Sequence, residues 1–136
     1  MLEIGAGSGY MAALLAHRAR QVLSLEIHPE LARFATDNLR RAAIVNATVR
    51  QADGSKEVPE GPFDVIVLSG SVAAVPEALL AQLKVGGRLI AIVGQLPVMR
   101  ATRVTRTGEH THETDELFDT VANRLHGFPE PTRFHF

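Results

Sequence analysis

The run Glu3-Ile4-Gly5-Ala6-Gly7-Ser8-Gly9-Tyr10 constrains this chain most. Residues 1–5 read as a short strand, and Gly5 to Gly9 form a glycine loop. Met11, Leu14, Leu15 and Arg18 follow at helical spacing, which predicts a helix over about residues 10–20. Glycines at a strand-to-helix turn let a ligand approach without a Cβ in the way. The free N–H groups of the helix start then suit a negative group. A dinucleotide fingerprint would place glycines at 5, 7 and 10. Here position 10 is Tyr and the glycines fall at 5, 7 and 9. Glu3 would repel a pyrophosphate but can receive the ammonium of a methionine moiety. The pattern favours S-adenosylmethionine over NAD.

The rest of the chain alternates. Val22 to Ile27 is an apolar run expected as a strand buried on both faces. Pro29 suits a helix start, and Leu31, Phe34, Ala35, Asn38, Leu39 and Ala42 share one stripe. Ala47–Ala52 and Phe63–Ser69 read as strands, with a turn at Pro59–Pro62 between them. Pro76 opens a helix to about Lys84, Gly86-Gly87 stops it, and Arg88–Val93 is a fifth strand. Such alternation means βαβ units and a mostly parallel, doubly wound sheet in one α/β domain. Beyond Gly94, Val98–Thr107 and Glu116–Leu125 read as an antiparallel strand pair ending the sheet. The polar run Gly108–Asp115 separates them. The spacing of Leu117, Val121 and Leu125 leaves a helix open for the second segment.

Two more carboxylates fall at strand ends, where open α/β sheets bind ligands. Glu26 lies 21 residues after Gly5 and can accept both ribose hydroxyls of an adenosine, whether of the methyl donor or of NAD. Ile27 beside it can offer an apolar face to adenine. Asp53 can accept the adenine amino group, and Gly54 lets backbone come close, although Asp-Gly also reads as a plain turn.

The stretch LEIGAGSGYMAALL, Leu2 to Leu15, resembles motif I of the protein-L-isoaspartate O-methyltransferase family. Pro62 to Val67 and Val75 to Leu89 are similar to that family's later motifs, in the same order and spacing. The tail, with Val104-Thr105-Arg106 and Leu117-Phe118, matches more loosely. The resemblance implies a Rossmann-like class I methyltransferase. It implies methyl transfer from S-adenosylmethionine to the α-carboxyl of an isoaspartyl residue in damaged protein or peptide, leaving S-adenosylhomocysteine. It implies cofactor roles for Glu3, Gly5, Gly7, Gly9, Glu26 and Asp53, with Ala6, Ile27 and Gly54 beside them. Family members carry a segment before motif I that supplies a Ser/Thr-containing substrate loop. Nothing in this chain takes that role, so no catalytic residue is assigned. Without such a segment, apolar surface is expected near Met1, Leu2 and the first helix, with a tendency to self-associate. The run Ser69-Gly70-Ser71-Val72-Ala73-Ala74 also departs from the family's Ala-rich run. Two other readings stay open: a small-molecule methyltransferase, and a module that binds the cofactor without turnover.

Composition trims the alternatives. The net charge of -1 argues against a dedicated nucleic-acid or membrane-surface binder. Arg100, Arg103 and Arg106 alternate faces on a strand and make no single basic stripe. No Asn-Pro-Pro-Tyr or Asp-Pro-Pro-Tyr element follows the fourth strand, which disfavours amino-methylation of adenine in nucleic acid. The chain has no cysteine, which excludes thiolate metal sites and is compatible with a reducing cytoplasm. No acidic pair stands where a catechol-type enzyme would hold magnesium. No apolar run approaches the roughly 20 residues needed to span a bilayer. His110 and His112 are expected in a solvated loop. His17, His28, His126 and His135 are expected at ordinary surface or edge positions.

Overall fold

A computed structural model describes residues 1–56 and 61–130. Ten elements follow in order: β1 (Leu2–Ile4), α1 (Tyr10–Ala16), β2 (Val22–Glu26), α2 (Pro29–Arg41), β3 (Ala47–Gln51), β4 (Phe63–Val72), α3 (Glu77–Leu80), β5 (Leu83–Gln95), β6 (Val98–Arg106) and β7 (His112–Thr120). The strands form one sheet in the order β3-β2-β1-β4-β5-β6-β7. β1 to β5 pair in parallel, and β6 and β7 complete the sheet antiparallel. This is the α/β sheet with a closing antiparallel pair that the alternation predicts.

β1 is central and lies fully buried between β2 and β4. The chain steps from β1 to β2 and β3 on one side, then returns to place β4 on the other. Parallel crossovers are right-handed, so α1 and α2 share one face and α3 takes the opposite one. The change of direction opens a crevice at the carboxyl ends of β1 and β4, the ligand position in such sheets. Register aligns Leu2 with Ile66, Ile66 with Leu89, and Leu89 with Val104. These four residues join Ile4, Leu25, Leu68, Leu79 and Leu83 in one apolar cluster. α2 buries Ala35 and Leu39 of its predicted stripe together with Ala32, whereas Leu31 and Phe34 of that stripe are exposed.

Several boundaries differ from the sequence reading. α1 stops at Ala16 rather than near residue 20, and β4 runs on to Val72. The Pro59–Pro62 turn falls largely outside the described residues, as does His135. The helix expected from Pro76 to Lys84 is a single turn, and β5 already begins at Leu83. Gly86-Gly87 does not stop a helix. It lies at an irregularity where the β4 register jumps from Phe63↔Leu83 to Val65↔Arg88.

The last strand is also displaced. A short turn links Thr107 to Thr111 through backbone bonds from the Thr107 and Gly108 N–H groups to the Thr111 carbonyl. β7 therefore starts at His112, and His112, Glu113 and Asp115 are strand residues rather than loop. Arg100 ion-pairs with Glu116 and Asp119, and Arg103 with Asp115. Charge matching across the strands holds this edge, so apolar alternation missed it. The helical alternative for 117–125 does not occur. Val121 to Leu125 leave the sheet instead. Near the start of the chain, Leu2 is fully buried, contrary to expectation, whereas Tyr10, Met11 and Leu14 of α1 are exposed.

Candidate functional site

The glycine loop is bound to β2 from two directions. Gly5 and Ala6 N–H both donate to the Leu25 carbonyl, at 2.8 and 3.2 Å. Gly7 N–H donates to Glu26 Oε1 at 2.9 Å, and His28 N–H donates to Oε2 at 3.1 Å. Glu26, only 5% exposed, thus ties the loop after β1 to the start of α2. A carboxylate offers about four acceptor sites, so capacity remains for a ligand's hydroxyls.

A cavity of about 230 Å³ opens beside it. Gly5, Gly7, Glu26, Ile27, Asp53 and Gly54 all line it, as do Ile4, Leu31 and Ser69. Asp53 Oδ1 accepts from both the backbone N–H and the hydroxyl of Ser55. The Ser55 hydroxyl is the main reason that the Asp53 carboxyl is held below its usual value. Asp53 therefore stays an acceptor at neutral pH. Apolar walls with two carboxylate acceptors suit an adenosine: hydroxyls toward Glu26, an exocyclic amino group toward Asp53.

Three expected residues lie elsewhere. Ala6 and Gly9 are buried in the loop and do not line the cavity. Gly9 is the N-cap of α1, backed against Ala35 of α2. Glu3 has no exposed surface. Its carboxylate accepts from Ser24 Oγ at 2.6 Å and from Ser69 Oγ. Burial raises the Glu3 carboxyl above its usual value, the two serine hydroxyls oppose this, and the nearby Glu26 charge adds to it. Glu3 reaches the cavity only through Ser69.

Sequence reasoning missed Ser69 and the segment Asn123–Phe128, whose Asn123, Arg124, Leu125, His126 and Phe128 line the same cavity. The signal for that segment was the small run Ser69-Gly70-Ser71 near the end of β4. A Cβ on Gly70 would lie 2.7 Å from Leu125 Cδ2, so small residues there make room for a returning chain. His28 and His126 are exposed, as expected, and their rings also meet edge-on at the cavity, with centroids 5.3 Å apart. His110 and His112 are exposed. Among the described residues no three His, Cys, Asp or Glu side chains gather as a metal site. None of the described helices is long and apolar enough to cross a membrane.

The strand order, the glycine loop and the Glu26 bridge define the fold of S-adenosylmethionine-dependent methyltransferases. The profile of the Protein-L-isoaspartate(D-aspartate) O-methyltransferase family matches residues 1–122, and the chain belongs to that family. The protein-L-isoaspartate O-methyltransferase of Staphylothermus marinus is 44% identical over 124 residues, covering 84% of this chain and 55% of that protein. That of Myxococcus xanthus is 45% identical over 114 residues, covering 80% and 54%. The chain thus spans about half the length of the curated relatives it matches. A solved protein-L-isoaspartate O-methyltransferase superposes with a TM-score of 0.83 at 30% identity, covering 93% of this chain and 41% of that one. A Plasmodium falciparum structure described as a protein of this kind, in complex with S-adenosyl-L-homocysteine, gives 0.80 at 24% identity. It covers 91% of this chain and 64% of its own, a likeness of fold.

Proposed function

We propose that this chain is the S-adenosylmethionine-binding core of a protein-L-isoaspartate O-methyltransferase, acting on the α-carboxyl of isoaspartyl residues in damaged protein. The observation that carries this reading is the Glu26 carboxylate. It is buried at the switch point, joins the glycine loop to α2, and faces the same cavity as Asp53. When bound, the cofactor supplies an activated methyl group on a sulfonium, so the protein's work is alignment and exclusion of water. Glu26 would hold the ribose hydroxyls and Asp53 the adenine amino group. Ile27 would lie against the ring, and the loop backbone from Gly5 to Gly7 would pass close to the rest of the ligand. Glu3 acts from beneath: its bonds to Ser24 and Ser69 tie β1 to β2 and β4 and set the Ser69 hydroxyl at the cavity wall. None of the described residues is assigned to the acceptor carboxylate. A cytoplasmic setting and self-association of this chain through α1 belong to the same reading.

Calorimetry with S-adenosylhomocysteine tests the site. Glu26→Gln keeps the shape but weakens the acceptor, and Glu26→Ala removes it. The loss expected for Ala is about 1.5–3 kcal/mol, the scale of a hydrogen bond to a charged group. Unchanged affinity in both variants removes Glu26 from the site, and preference for NAD overturns the cofactor. Methyl transfer to an isoaspartyl peptide, measured on the full gene product and on this chain, tests the activity. No transfer by the full product refutes it.

A further inference from the structure

After Thr120 the chain leaves β7 and returns across the ends of the parallel strands. Ser71 N–H donates to the Asn123 carbonyl at 2.7 Å, and Leu125 N–H donates to the Ser71 carbonyl at 2.8 Å. The Arg124 guanidinium donates to the Gly94 carbonyl of β5 at 2.8 Å, while its pair with Glu130 at 2.8 Å closes the segment on itself beyond Phe128. These contacts fix the first half of the segment to β4 and β5. Leu125 then sits over the glycine loop, its Cδ2 2.9 Å from where a Cβ on Gly5 would lie. The second half is attached differently. His126 meets His28 edge-on, and Gly127 lies against the Asp53–Ser55 turn, where a Cβ would come 2.5 Å from Ser55 Oγ. Among the described residues, no hydrogen bond anchors His126, Gly127 or Phe128. The segment thus has a bonded end and a packed end, and the packed end covers the residues assigned to adenine.

The segment lines one side of the open cavity of about 230 Å³ beside Glu26. Held by packing alone, the second half of the segment can shift to admit a ligand and settle on it. We propose that Asn123–Phe128 is a strap that closes over the adenosine half of the ligand. It hinges after Leu125, and His126 and Phe128 supply the wall opposite Ile27 and His28. This rests on the reading of the cavity as an S-adenosyl site. The chemistry favours a clamp over a plug. Adenine is flat and apolar on both faces, β2 and α2 offer one wall, and the strap brings an imidazole and a phenyl ring to the other. Its backbone at Gly127 abuts Asp53 without consuming the carboxylate in a hydrogen bond.

Hydrogen exchange read by mass spectrometry on the wild-type chain tests this, after calorimetry has measured S-adenosylhomocysteine binding. With ligand at about 100 times Kd, exchange of the Leu125–Phe128 amides is expected to slow by up to about a hundredfold. Faster exchange would mean that the ligand displaces the strap, and unchanged exchange would mean that the strap is indifferent; either overturns the proposal. His126→Ala, at an exposed position, is expected to weaken binding about three- to tenfold, the scale of one aromatic contact, with the Tm unmoved. Unchanged affinity in His126→Ala removes that residue from the wall. A chain that binds no S-adenosylhomocysteine overturns the cofactor reading and the strap with it. Binding without strap protection overturns the strap alone.

Discussion

Replacing Gly9 by Ala separates packing from ligand binding in the glycine loop. Gly9 has φ +86°, and a Cβ there would lie 3.0 Å from the Ala35 carbonyl oxygen and 3.2 Å from Ala35 Cα. A left-handed backbone costs an L-residue about 1–2 kcal/mol. The obstructing atoms are backbone of α2, so relief requires α1 and α2 to part, and overpacking of this kind costs about 1–3 kcal/mol. The expected loss is about 2–5 kcal/mol. Gly86 provides the control: its φ is +87°, and nothing lies within 4 Å of its virtual Cβ. Gly86→Ala should therefore cost only the backbone part, about 1–2 kcal/mol. Urea unfolding followed by circular dichroism, with equal slopes for the two variants, reads the difference. If Gly9→Ala costs no more than Gly86→Ala, the α1–α2 contact does not explain the third glycine, and a ligand role for it returns.

Glu3 should make stability depend on pH. Burial holds its carboxyl above the usual 4.5, so the folded chain keeps that proton to higher pH than the unfolded one. Stability from this group is full below the unfolded value and is lost as pH rises through the folded one. Glu3→Gln has no such loss, so its melting temperature should gain on wild type as pH rises above 4.5; a gap that stays constant refutes the buried-acid account. Tyr10, Met11 and Leu14, exposed at 70%, 38% and 44% on α1, should drive association. Light scattering over a roughly hundredfold concentration range should show mass rising, less so for Met11→Lys with Leu14→Lys, and a strict monomer throughout would refute it.

The parallel half of the fold was legible because β1 and β2 are buried on both faces and strands alternate with helices. Val22–Glu26 and Pro29–Arg41 fall almost where periodicity places them. The antiparallel end was less legible, because β7 has no buried face and is exposed along nearly all its length. Its partners are chosen by charge, which periodicity does not register. The site divides in the same way. Glu26, Ile27, Asp53 and Gly54 stand at strand ends, and the alternation places them there directly. Leu125 and His126 reach the cavity only because the chain doubles back onto Ser71, a long-range contact with no local signature. Gly9 was legible as a loop glycine, but its reason, the approach of Ala35, belongs to the packing of two helices.

β7 ends the sheet, and an open strand edge invites a second molecule to add a strand. Here the edge carries Glu113, Asp115, Glu116 and Asp119, all exposed. Two such edges approaching one another would set carboxylates against carboxylates, and like charges directly opposite destabilise a strand pair. The acids that match β6 within one molecule therefore also make this border self-repelling, and growth of a continuous sheet through β7 is disfavoured while contacts through α1 are left open.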